Sequence, residues 1–80
     1  MDINKQRRKA IGELHEQISA IMEQLDELKD EEQEAYDNTP ESLQESERGQ
    51  AMEEAINQME EAYSQLEEAA YILEELSDGG

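Results

Sequence analysis

Cysteine, phenylalanine and tryptophan are absent from this chain, and proline occurs once, at Pro40. Without thiols there is no disulfide and no thiolate metal site. No apolar run approaches the ~18–20 residues of a membrane span, and no signal-peptide core follows the basic start. The chain therefore reads as soluble and intracellular. Cations are scarce as well, six Lys and Arg against 23 Asp and Glu, for a net charge of −17. Nucleic acid and anionic membrane would both be repelled by such a chain, which excludes them as direct ligands.

The residues that remain are helix formers: Glu, Gln, Ala, Leu, Met and Ile. Eighty residues allow one small domain, here all-α. The strongest pattern lies near the C-terminus, where Met52, Met59, Leu66 and Leu73 recur every seven positions, each followed by Glu-Glu and then Ala or Leu. A seven-residue period keeps one seam of a helix against a partner along its whole length. Beside that column run Ile56, Tyr63 and Ala70, then Ala55, Ala62, Ala69 and Leu76. Three adjacent columns form a stripe wider than one two-stranded seam needs.

A first helix is expected over about residues 4–36. Its seam is read as Ile11, Leu14, Ile18, Ile21, Leu25 and Leu28, continued by Glu32 and Ala35, with Met22 and Tyr36 widening one side. Gly12 weakens it by about 1 kcal/mol relative to Ala. Asp37-Asn38-Thr39-Pro40 breaks the helix. Residues 37–46 form a turn with a short helix in it, for which Thr39 is the expected N-cap, Ser42-Leu43-Gln44-Glu45 a capping box and Leu43 an apolar plug. The second long helix is expected over about 47–77, ended by Gly79 and Gly80. With so short a linker, the two helices close as an antiparallel, coiled-coil-like hairpin.

That hairpin sets Lys5, Arg7, Arg8 and Lys9 beside Glu74, Glu75 and the negative end of the second helix dipole. It also leaves the wide stripe half covered. The gross burial of about a dozen large apolar side chains, ~20–35 kcal/mol, is smaller than the cost of ordering both helices. The chain is accordingly expected to homodimerise into a four-helix bundle.

Candidate chemistry is sparse. His15 stands at the rim of the seam, and the residue three before it is Gly12 rather than the Glu of a Glu-x-x-His pair. The acidic run 26–32 lacks the glycine turn of a calcium loop. No glycine-rich phosphate loop occurs, and no Ser, His and acid set is spaced for nucleophilic attack. The reading is a non-enzymatic chain with no metal or cofactor. What does stand out is an acidic ridge: Glu53, Glu54, Glu60, Glu61, Glu67, Glu68, Glu74 and Glu75, with Tyr71 exposed and available to a partner. Seventeen net charges along ~45 Å of helix come near the ~1.7 Å charge spacing of B-DNA once two chains overlap. A rigid acidic rod could occupy the nucleic-acid groove of a basic protein. The other expectation is a structural or assembly protein acting through its own association.

One resemblance adds to this. The run from Glu31 to Arg48, EEQEAYDNTPESLQESER, with Ala-Met-Glu-Glu-Ala-Ile at 51–56, resembles small acidic helical proteins of Firmicutes phages and prophages. These share a basic start, an Asn-x-Pro-Glu-x-Leu-Gln turn and a Glu-Glu-Ala second helix. The resemblance covers most of the chain and implies a phage origin and a place in the host cytoplasm. It carries no activity or site residues with it.

Overall fold

Asn4 begins the first helix, α1 (Lys5–Asp37): its backbone is extended and its Oδ1 accepts a hydrogen bond from the Arg7 amide at 2.8 Å, which satisfies one of the free N–H groups of the first turn. The computed structural model describes residues 4–78, so Gly79 and Gly80, the expected stop, lie outside the described residues. Two further helices follow, α2 (Glu41–Gln44) and α3 (Glu47–Ser77). The long helices lie antiparallel in a hairpin 58 Å long and 18 by 12 Å across.

The turn is built from polar side chains. Thr39 does not cap α2. Its hydroxyl turns back and donates to the Ala35 carbonyl at 2.9 Å, while its amide donates to Tyr36 O. A residue before proline avoids helical dihedrals, so Thr39 closes α1 instead, and Pro40 stands at the N-cap of α2 with no side-chain bond. The capping box expected at Ser42 is also displaced. Ser46 is the cap that forms, its Oγ accepting from the Gly49 amide at 3.3 Å to start α3. Nor is Leu43 a plug, since it is more than half exposed. Gln44 turns inward, its Nε2 donating to Tyr36 O at 3.2 Å and Thr39 O at 3.1 Å, and so ties α2 to the end of α1.

The interior is a single seam. In α3 it consists of Gly49, Met52, Ile56, Met59, Tyr63, Leu66, Ala70 and Leu73, all buried or half-buried. Among the described residues only Gly49, Ile56 (5% exposed) and Ala70 (7%) are buried. In α1 the seam positions Arg8, Ile11, His15, Ile18, Met22, Leu25, Lys29, Glu32 and Tyr36 are half-buried in alternating steps of three and four, with Gly12 and Ser19 half-buried beside them. This corrects the expected seam. Ile11, Ile18, Leu25 and Glu32 belong to both series, but their companions are His15, Met22, Lys29 and Tyr36 in place of Leu14, Ile21, Leu28 and Ala35. A helix with three apolar columns can turn only two toward one neighbour. The chosen set has long side chains with polar tips that cross the seam: Tyr36 Oη donates to Glu53 Oε2 at 3.1 Å, and His15 Nε2 lies 3.9 Å from Glu74 Oε2.

Candidate interaction surfaces

Because the seam is settled, the side of the hairpin on which every other column falls follows from heptad geometry. In an antiparallel pair, the column just before each seam position of one helix runs beside the same column of the other. Leu14, Ile21, Leu28 and Ala35 of α1 therefore share one long side with Leu76, Ala69, Ala62 and Ala55 of α3. A hollow of about 410 Å³ at the turn end confirms the pairing, since Ala35 and Leu43 line it together with Arg48, Gly49 and Met52. On this side Leu14 is 49% exposed, Ile21 50% and Leu28 55%, with Ile72 and Leu76 also open. Its margins carry Gln17, Gln24, Gln58 and Gln65. It is an apolar strip with a mostly uncharged border.

The opposite side is acidic. Glu53, Glu60, Glu67 and Glu74 flank the seam there, and Glu54, Glu61, Glu68 and Glu75 lie beyond the Tyr71 column, on the face turned away from the seam. All eight are exposed. Across from them α1 offers Gly12, Ser19, Asp26 and Gln33, and a second hollow of about 310 Å³ lies between Asp26 and Lys29 on α1 and Glu60, Tyr63 and Ser64 on α3. Tyr71 belongs to the ridge and is 62% exposed. Its hydrogen bond to Glu75, reinforced by that carboxylate's charge, raises the phenol above its ordinary value. Tyr36 is raised likewise, first by its bond to Glu53 and then by partial burial and the charges of Glu53, Asp37 and Glu45. Carboxylates that accept from a phenol and stand beside it disfavour a second negative charge.

The basic N-terminal turn was expected to meet Glu74 and Glu75. Among the described residues the close acid–base contacts are instead His15 Nε2 to Glu74 Oε2 at 3.9 Å and, within α1, the ion pair Lys29–Asp26 at 3.6 Å. His15 thus stands in the seam rather than at its rim, nearly two turns nearer the middle than the cations. The Nε of Arg8 is enclosed without a hydrogen-bond partner among the described residues. None of them form a group of three or more His, Asp or Glu placed to hold a metal ion, and no helix among them is long and apolar enough to cross a membrane.

The eight glutamates read from the heptads are all exposed. What the sequence reading missed is that Leu14, Ile21 and Leu28 lie outside the seam. The available signal was Tyr36 and Met22, which fall in step with Ile11, Ile18 and Leu25 as regularly as the leucines do. No family model, curated protein or solved structure matches the chain.

Proposed function

We propose that this protein is a non-enzymatic interaction protein that works as a homodimer, its apolar side closed against a second copy in a four-helix bundle. The observation that carries this is the row Leu14, Ile21 and Leu28, each about half exposed along one side of a hairpin with three enclosed residues. Contiguous apolar strips of this kind mark association surfaces, and chains of this size commonly need added burial to be stable. Light scattering or sedimentation at micromolar concentration tests it. The native chain should sediment as a dimer, and the double variant Ile21→Glu/Leu28→Glu as a monomer with reduced helicity. A well-folded native monomer at that concentration defeats the reading.

A second role is favoured by the position of the ridge. Association through the apolar side leaves Glu53, Glu60, Glu67 and Glu74 and their outer neighbours on the outside of the bundle, as two acidic rows, one on each hairpin. On this reading the dimer engages a basic nucleic-acid-binding protein by standing in for the polyanion. The resemblance to phage proteins supports a bacterial host cytoplasm as its setting and a host or phage protein as the client. Affinity capture followed by competition with DNA or RNA at increasing salt discriminates the two roles. A basic client displaced by nucleic acid supports mimicry. Higher-order assembly with no basic client supports a structural protein.

A further inference from the structure

We propose that the second copy docks in one orientation and register: the two turns lie at opposite ends of the bundle, and Leu14 of each copy enters the hollow lined by Ala35, Leu43 and Met52 of the other. This rests on the self-association proposed above and specifies its geometry. Two observations carry it independently, one of size and one of charge.

The apolar side is graded along its length. At the open end it carries Leu14 and Leu76, with Ile72 beside them, and at the turn end Ala35 and Ala55, with Leu43 and Arg48 beyond them at the rim of the turn. The open end therefore protrudes and the turn end is recessed, the recess being the hollow of about 410 Å³. Two symmetric dimers can bury this side. With the turns together, α1 of one copy covers α3 of the other at equal height. The end layers then hold Leu14 and Leu76 twice over at one end, and Ala35 and Ala55 twice over at the other, with the hollow unfilled. With the turns opposed, α1 lies on α1 and α3 on α3. Leu14 meets the partner's Ala35, Ile21 the partner's Leu28, Ala55 the partner's Leu76 and Ala62 the partner's Ala69. Every layer then contains two large residues and two alanines, the arrangement that fills a core evenly. Equal layers require this register, because a shift by one heptad leaves a leucine without an alanine opposite.

Charge selects the same dimer. Residues 31–47 at the turn hold seven carboxylates and no cation, with Arg48 next in the chain. The open end carries Lys5, Arg7, Arg8 and Lys9 against Glu13, Glu16, Glu74, Glu75 and Asp78, a mixed rather than purely acidic end. Turns placed together would stack carboxylates on carboxylates. Turns opposed set each acidic turn beside the cations of the other copy's first helical turn.

The chain has no native thiol, so single cysteines introduced for spin labels report the geometry directly. Gln24→Cys lies on the margin of the apolar strip near its midpoint, and Ser42→Cys lies in the turn. Opposed turns predict a short label separation at position 24 and one on the order of 50 Å at position 42, the length of a 33-residue helix. Short separations at both positions overturn the orientation and leave self-association standing. Absence of any inter-label coupling at either position, with a monomer by sedimentation, overturns both. Register is read by a size swap. Leu14→Ala and Ala35→Leu should each weaken dimerisation at least about tenfold, and the double variant should recover most of that loss, because the two sites touch across the interface. Losses that simply multiply in the double variant would refute the contact.

Discussion

Two glycines in the long helices have opposite meanings. A Cβ on Gly49 would lie 2.1 Å from the Gln44 carbonyl oxygen and 2.7 Å from Gln44 Cα, backbone atoms that cannot swing aside. Only glycine lets α2 fold back this closely onto α3. At Gly12 the nearest atom to an added Cβ is Ser77 Cβ at 3.8 Å, an ordinary contact. Gly12→Ala should therefore stabilise the protein by ~0.5–1 kcal/mol through helix propensity. Gly49→Ala should destabilise it by ~1–3 kcal/mol, as overpacking does, and urea midpoints of the two variants should move in opposite directions. The tyrosines give a pH signature on the same scale. Tyr36 and Tyr71 ionise above the ordinary phenol value of 10.0 when folded. A raised folded pKa means the stabilisation is fully present below pH 10 and is lost as pH rises through the folded value. Ultraviolet titration should show Tyr36 and Tyr71 ionising late in the native chain, and Glu53→Gln should move one of these ionisations back toward the ordinary value. Superimposable titrations of the native and Glu53→Gln proteins would refute the Glu53 bond.

At the scale of elements, the connection holds the hairpin through caps rather than through an apolar plug. Thr39 closes α1, Gln44 bridges α1 and α2, and Ser46 opens α3. Each satisfies a backbone group that helix ends leave free. Ser46→Ala should cost about 1 kcal/mol, visible as a lowered thermal midpoint, whereas Ser42→Ala should change it little. A comparable loss from Ser42→Ala would mean that the helix start lies four residues earlier. Proline alone marked this region as a break. Which of Thr39, Ser42 and Ser46 caps which helix depended on where α1 let go, since all three are acceptable caps and local sequence ranks them equally.

For the whole molecule, charge is the dominant strain. The exposed glutamates of α3 have Arg48 as the one cation on their helix, and Glu60 lies near Asp26 across the seam, so the net field is self-repulsive. Salt screens exposed charges separated by more than ~10 Å at 0.1 M. The thermal midpoint should accordingly rise between low and moderate sodium chloride, followed by circular dichroism. A midpoint that falls with salt would mean that attractive pairs outweigh the ridge. A basic client would act in the same direction as salt, only locally, which ties the stability of the rod to its proposed binding.

Composition and the seven-residue period were enough to determine that this chain is helical, that two long helices meet head to tail, and that α3 buries one stripe while presenting glutamates elsewhere. Those properties are local: propensity, breaks and periodicity are all carried by neighbours within a few turns. The choice between the two overlapping seams of α1 was not local. Ile11, Ile18 and Leu25 fit either, and hydrophobicity favoured Leu14, Ile21 and Leu28 as their companions. The tertiary structure decided for Met22, His15, Lys29 and Tyr36, because a single neighbouring helix can cover only two columns, and His15 and Tyr36 reach polar partners across it. That decision, invisible along one strand of sequence, is what leaves the leucine row on the surface with the alanines of α3 beside it.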